Sequence, residues 1–155
     1  MLCDLWSFTL DFYARPGVEQ ACLTLQAGGG NVCALLCGVW LDQRSIVFDP
    51  KRAEEIRQLA TPWHDQVVGP IRAVRTQWKA AATTDEELSA LRKRLKGLEL
   101  DAERELLVRL QRLVQDWPGQ EAQHTGAWLE ALAGEAAKEA PDALQILRRV
   151  GEDLA

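Results

Sequence analysis

Apolar residues recur with the helical period along almost the whole chain, and residues typical of helix ends separate the periodic segments. In the first segment, residues 4–14, Leu5, Phe8 and Phe12 fall on one stripe behind Asp4, a residue suited to capping a helix. The longer segments show the same combination of helical apolar periodicity with residues typical of helix ends. The pattern therefore predicts an all-α fold, a single-domain bundle of about seven or eight helices.

The third predicted helix is apolar all round. Ten consecutive apolar residues, 32–41, follow Asn31, a good N-cap. A membrane-spanning helix needs about 20 such residues, so we expect this helix to be enclosed by the others and expect no membrane segment. The β-prone residues 45–48 after it are too few to found a sheet and are predicted to form an extended link.

The second half of the chain is dominated by one long helix, predicted over about residues 85–116. Thr84 and Glu87 have the spacing of a capping box, and apolar residues then recur about every 3.6 positions. A shorter neighbour over about residues 62–82 is predicted to begin at Thr61 and Pro62 and to kink or split at Pro70. We expect a short-helix cluster (1–82) and a long-helix half with two C-terminal helices (83–155) to share one core.

Composition narrows the class of protein. The chain has 155 residues, 47% of them hydrophobic, and a formal net charge of −5, which favours one globular domain over a disordered chain. The acidic balance makes nucleic-acid binding through the whole surface an unfavoured hypothesis. The first basic residue is Arg15, so the start lacks the charged region of a secretory signal, and we expect a cytoplasmic protein.

Positive charge is concentrated in the middle of the chain. Residues 51–96 carry ten basic and six acidic side chains, and Arg72, Arg75 and Lys79 fall on one helix face. This row is a candidate site for an anion or an acidic partner, although a solvated helix face is the simpler interpretation. RNA or another polyanion bound through residues 72–96 is a weaker alternative.

The long helix also carries a basic block, residues 92–96, followed by an acidic block, residues 99–105. Antiparallel self-pairing about Leu98 would set each block against its opposite, which makes a homodimer a hypothesis. Ion pairs within the helix, such as Glu105 with Arg109, are the simpler interpretation.

The cysteines suggest packing more than chemistry. Cys33 and Cys37 lie one helical turn apart and Cys22 precedes them, but the Cys-x₃-Cys spacing is not that of a zinc knuckle. We therefore predict no metal and no cofactor. The same region offers a possible pocket among the first three helices, lined by residues that can pack against a small molecule: Trp6, Tyr13, Cys33, Cys37 and Trp40.

Several short stretches of the first 110 residues stand out as a set: residues 5–6, 12–19, 32–33, 36–37, 40–41, 62–63 and 97–100. In these stretches the chain resembles a family of short proteobacterial proteins, of the kind found in Pseudomonas and Vibrio, that is classified as a domain of unknown function. The resemblance covers about residues 5–110 and fades after them. It implies a cytoplasmic bacterial protein and brings no activity, cofactor or catalytic residue.

No convergent catalytic set emerges from the sequence, so an enzyme is not favoured. The leading hypothesis is a protein-interaction or regulatory module that binds an unknown protein partner through the long helix or the basic row. The alternative is a small-molecule-binding protein or enzyme that uses the pocket among the first three helices.

Overall fold

The computed structural model describes residues 4–119 and 126–154, and within these ranges the secondary structure is helical with no strand. This confirms the predicted all-α class and the long helix. The α-helices are α1 (Leu5–Tyr13), α2 (Val18–Ala27), α3 (Val32–Gln43), α4 (Pro50–Trp63), α5 (Gly69–Gln77), α6 (Glu86–Val114), α7 (Ala127–Ala133), α8 (Glu135–Glu139) and α9 (Pro141–Asp153).

Helix α3 lies at the centre of the core. Its residues from Cys33 to Asp42 are all buried, and α1, α2, α4, α6, α7 and α9 pack around it. The close approach of α7 requires Gly38, because a Cβ there would lie only 3.2 Å from the Cα of Leu129. The apolar run that the sequence marked for enclosure is the element on which the other helices are assembled.

A buried carboxylate fixes the C-terminal helices to α3. The Asp42 side chain accepts hydrogen bonds from the backbone N–H groups of Trp128 (3.1 Å) and Leu129 (3.0 Å), at the first turn of α7. It thus satisfies N–H groups that have no partner within their own helix. A non-helical link follows α3 as predicted, but its first residue, Ser45, lies in a turn with a left-handed backbone (φ 54°) and is not extended. The Ile46 carbonyl in this link accepts a 2.9 Å hydrogen bond from the Trp128 indole.

The predicted helix start at Thr61 and Pro62 is wrong. Helix α4 runs through Pro62 to Trp63 and continues as a π-helical turn, His64–Val68, directly into α5 at Gly69. A proline inside a helix removes a backbone hydrogen bond, and π-helical turns occur mostly as single turns within α-helices. The turn lies between Pro62 and Pro70, so the expected disturbance takes this form instead of a break.

The N-cap of α6 is Asp85, one residue after the predicted capping residue Thr84. The Asp85 side chain accepts a 3.0 Å hydrogen bond from the Leu88 N–H. A short 3₁₀ turn, Ala81–Thr83, precedes this cap. No residue of α5 is buried, and the first buried residue of α6 is Glu99. Residues 69–98 therefore form a largely solvated helical hairpin, which we call the arm.

Candidate functional site

A cleft of about 520 Å³ opens between α1, α2, α3, α5 and α6. Its volume lies in the range of about 300–1,000 Å³ that is typical of ligand pockets. Apolar side chains form much of the surface, and charged side chains of α5 and α6 lie together along one wall. The lining residues are Trp6, Thr9, Leu10, Tyr13, Ala14, Glu19, Leu23, Gln26, Val32, Cys33, Leu36, Arg72, Arg75, Glu99, Leu100, Glu103 and Leu107.

The sequence placed a possible pocket in this region, and three of its five residues line the cleft: Trp6, Tyr13 and Cys33. Cys37 and Trp40 do not, because α3 is surrounded by other helices and both side chains are buried in the core. The expectation that all five share one surface was therefore wrong. The predicted pocket also lacked the wall that α5 and α6 provide.

Leucines with unusual exposure border the cleft. Leu10, Leu23 and Leu100 are 54%, 46% and 54% exposed, whereas most leucines of the described chain are buried or half-buried. An exposed cluster of large apolar side chains is uncommon on a monomeric protein and marks a surface that is covered in use. Each of the three comes from a different helix, so the packing of α1, α2 and α6 creates the cluster.

The polar wall is an ion-pair cluster between α5 and α6. The Arg72 Nε donates to a Glu99 carboxylate oxygen at 2.9 Å, and its Nη2 donates to Glu103 at 3.3 Å. The Arg75 Nε and Nη2 both donate to Glu99. Glu99 is buried and both arginine side chains are less than a quarter exposed. The cluster joins the arm to the core and holds its charged groups at the edge of the cleft.

The two glutamates of the cluster ionise differently. Burial opposes ionisation of Glu99, but the hydrogen bonds from Arg75 and Arg72 outweigh burial and lower the pKa of its carboxyl. Glu103 has one arginine bond, and burial raises the pKa of its carboxyl above the usual value. Glu99 is thus a saturated structural carboxylate, whereas Glu103 keeps Oε2 without a hydrogen-bond partner in the described chain.

Two residues of α1 in the cleft lining, Thr9 and Tyr13, carry hydroxyl groups. The Thr9 hydroxyl is buried and has no hydrogen-bond partner among the described residues, although an exposed threonine, Thr24, donates to the Gln20 carbonyl four residues earlier. Tyr13 follows one turn later. Burial, with the charges of neighbouring groups that include Glu19 and Glu103, raises the pKa of its phenol to about 12. It therefore stays protonated at neutral pH.

The predicted basic row is divided by the structure. Arg72 and Arg75 are partly buried and ion-paired on the cleft wall, so the simpler interpretation of a solvated face does not describe them. Lys79 is exposed and does not line the cleft. Anion or partner binding by this row stays a prediction, and two of its three charges are already balanced by Glu99 and Glu103.

The acidic block of α6 is similarly engaged. Glu99 and Glu103 pair with the arm, and Glu105 forms the predicted pair with Arg109 at 3.1 Å. A self-paired dimer about Leu98 would have to use acidic groups that are largely neutralised within the chain. The homodimer stays a prediction, with weaker charge complementarity than the sequence suggested.

The three described thiols are buried, and burial raises the pKa of Cys22 and Cys37 to about 12 and that of Cys33 further. They are thus inert at neutral pH. Within residues 4–119 and 126–154, no group of three or more His, Cys, Asp or Glu side chains is arranged to hold a metal ion. Cys3 lies outside the described residues.

Several cleft residues were missed by sequence reasoning: Thr9, Leu10, Leu23, Glu99, Leu100 and Glu103. Leu10 shares a second apolar stripe of α1 with Trp6 and Tyr13, a pattern that favours contacts on two sides of the helix but does not identify them. Leu100 lies off the apolar stripe that recurs about every 3.6 positions along α6. This position was the sequence signal that its surroundings differ from those of the other leucines. Glu99 and Glu103 lie four residues apart, a spacing that places them on one face of the helix.

The comparisons with known proteins give a family without an activity. No described helix is both long enough and apolar enough to cross a bilayer, and the cytoplasmic location stays a prediction. No curated protein and no solved structure matches the chain significantly. Residues 4–110, which include every residue that lines the cleft, match a family described as a protein of unknown function (DUF2390). The chain belongs to the DUF2390 family.

Proposed function

We propose that this protein binds a small organic molecule with a largely apolar body in the cleft between α1, α2, α3, α5 and α6. The observation that carries the proposal is the coincidence of a 520 Å³ cleft with three half-exposed leucines on three helices. Burying an exposed leucine side chain contributes about 1.5–3 kcal/mol, so a ligand that covers the exposed halves of these three gains several kcal/mol. The geometry favours this function over the protein-interaction module preferred from sequence.

The helices that form the cleft are fixed by contacts on their other faces, which supports a preformed site. Helix α1 is anchored where the Leu5 N–H donates a 2.8 Å hydrogen bond to the Gln111 side chain of α6. Phe8 and Phe12 pack into the core on the far face of α1. Arg72 and Arg75 fix the arm against α6 by several bonds. A site that needs little ordering loses less free energy when a ligand binds.

The test uses two leucines of α6 that differ in position but not in exposure. Leu100 is 54% exposed and lines the cleft, whereas Leu98 is 52% exposed and does not. Nile red, a neutral apolar dye, is titrated against wild type, Leu100→Asp and Leu98→Asp while its fluorescence is recorded. We expect saturable binding to wild type and Leu98→Asp and its loss in Leu100→Asp.

The opposite results would refute the proposal. Absence of saturable dye binding to the wild-type protein, or equal binding to all three proteins, would show that the cleft is not a binding site. Circular dichroism of the three proteins establishes that both variants are folded. Because both substitutions place a carboxylate on an exposed turn of the same helix, a general effect on α6 would appear in both.

A second candidate function rests on the arm. Leu91 and Leu98 are 49% and 52% exposed on a hairpin that also carries Arg92, Lys93 and Arg94. Apolar side chains beside basic ones suit a partner protein that presents an apolar segment with acidic residues. Under this hypothesis the two variants exchange roles. A partner purified with the wild-type protein would be lost with Leu98→Asp and retained with Leu100→Asp.

A further inference from the structure

We infer that the polar end of the cleft binds a protonated amine, so that the ligand is an organic cation with an apolar body. This inference rests on the proposed function and specifies the chemistry of the ligand. It is carried by residues of the cleft lining that keep unused hydrogen-bonding capacity: the carboxylates of Glu19 and Glu103 and the hydroxyl group of Thr9.

Charge in the cleft is unbalanced towards the negative. Arg72 and Arg75 are the basic residues of the lining, and Glu19, Glu99 and Glu103 are the acidic ones. Glu99 accepts bonds from both arginines and Glu103 accepts one from Arg72. Glu19 has no ion-pair partner in the described chain. The lining therefore contains one more carboxylate than guanidinium group, and a bound cation would restore neutrality.

The spare acceptors belong to different helices that form the same cleft. Glu19 of α2 and Glu103 of α6 both line it, together with Tyr13 of α1. Glu103 keeps Oε2 free in a partly buried position, where an additional hydrogen-bond donor is most favourable.

The Thr9 hydroxyl is an independent indication of a ligand. The residue is 7% exposed, lines the cleft, and its oxygen has no hydrogen-bond partner within the described ranges. Buried polar groups are nearly always paired, so an unpaired one beside a cleft marks a place where a bound molecule completes the bonding. An ammonium group carries three donors and no acceptor, which matches hydroxyl and carboxylate oxygens.

An aromatic ring in the lining favours a cation further. Tyr13 lines the cleft, and the face of an aromatic ring attracts positive charge. Trp6 also lines the cleft, but the Arg104 guanidinium already lies over its ring, 5.0 Å from the centroid. An anionic ligand would have to compete with Glu99 for Arg72 and Arg75, and it would be repelled by Glu19 and Glu103.

Three probes with the same eight-carbon chain separate the possibilities: octylammonium, octanol and octanoate. Each probe is titrated at neutral pH against the intact protein with Nile red bound, and its affinity is obtained from the displacement of the dye. One charge-assisted hydrogen bond to a partly buried carboxylate corresponds to about tenfold in affinity, so we expect octylammonium to bind about tenfold more tightly than octanol. Octanoate is expected to bind most weakly.

Glu103→Gln is expected to remove most of the preference for octylammonium over octanol, measured as the ratio of the two affinities within the variant. Glu105→Gln is the matched control, because Glu105 lies half a turn away, pairs with Arg109 and does not line the cleft. Thr9→Val is expected to weaken octylammonium binding several-fold. The preference should also fall as the pH decreases through the raised pKa of Glu103, since octylammonium remains charged throughout.

The failures of the two proposals are distinguishable. Equal affinity for the three probes, tighter binding of octanoate, or an unchanged preference in Glu103→Gln would overturn the amine assignment and leave the cleft as a binding site. Loss of Nile red binding in the wild-type protein would overturn both. An equal effect of Glu105→Gln would show that the preference arises from the general charge of α6 and would also overturn the assignment.

Discussion

Replacing Thr9 by valine tests the most unusual polar atom of the protein. The Thr9 hydroxyl is buried on α1 and unpaired within the described chain. Valine has nearly the same shape, with a methyl group in place of the hydroxyl. Because a buried hydroxyl without a hydrogen bond costs about 1–3 kcal/mol, we expect Thr9→Val to raise the free energy of unfolding by about 1–2 kcal/mol.

In a domain of this size, 1 kcal/mol shifts the melting temperature by about 2–4 °C, so the variant is expected to melt about 2–8 °C higher. Thermal and urea unfolding followed by circular dichroism would measure the change. Thr24→Val is the control, since Thr24 is exposed and its hydroxyl donates to the Gln20 carbonyl at 2.9 Å. Its stability is expected to change by no more than about 0.5 kcal/mol.

Thr9→Ser separates the hydroxyl from the methyl group. It keeps the unpaired oxygen and removes a buried methyl, so we expect a loss of about 1 kcal/mol. If Thr9→Val destabilises the protein as much as Thr9→Ser does, the hydroxyl has a partner and the reasoning fails. A variant that gains stability but binds octylammonium less tightly would show that the unpaired oxygen is retained for binding.

Three further predictions concern the structural groups around the cleft. Asp42→Ala is expected to cost about 3 kcal/mol in urea unfolding, because it removes two backbone hydrogen bonds to a buried carboxylate, whereas Asp4→Ala, at an exposed cap, is expected to cost about 1 kcal/mol. Because the pKa of Glu99 is lowered in the folded protein, its ionised carboxylate stabilises the fold above the ordinary glutamate range, and this contribution is lost as the pH falls through the folded-state pKa. Glu99→Gln should therefore reduce the dependence of the free energy of unfolding on pH in the acid range. An unchanged slope of that free energy against pH would contradict this. In a Cys3→Ser background, Ellman's reagent is expected to react at neutral pH no faster than the protein unfolds, because the remaining thiols are buried with raised pKa values: Cys22, Cys33 and Cys37.

Most of the helical elements could be predicted because the hydrophobic effect leaves a periodic record in the sequence. The enclosure of α3 follows from its apolar run, and α6 follows from a stripe that repeats every 3.6 residues. Residues that commonly mark helix ends were less dependable predictors. Pro62 reads as a helix start, but the helix continues through it because Ala60 and Val68, on either side, are both buried in the protein interior. Tertiary burial outweighed the local cost of the proline.

Polar contacts between distant segments could not be predicted. Asp42 is the first charged residue after the apolar run of α3, yet its carboxylate caps α7 at a residue 86 positions later. Arg75 and Glu99 read as members of two separate charge patterns, yet they form one buried pair. A charged residue on a helix face is usually solvated, and only the crossing of a second helix changes its environment. That crossing is a property of the assembled fold, which no local window contains.

The cleft shows why a binding site is harder to infer than a core. Leu100 and Leu107 are both leucines of α6 and both line the cleft, but Leu100 is 54% exposed and Leu107 is 2% exposed. The hydrophobic pattern records that each avoids water and does not record what covers it. The covering groups belong to other helices, and α1, α3 and α4 pack against α6 in a way that covers Leu107 and leaves Leu100 open. A site of this kind becomes visible from an inconsistency in the assembled protein. Here apolar surface remains in water and a hydroxyl remains without a partner, and both conditions end if a molecule with an apolar body and a donor group occupies the gap.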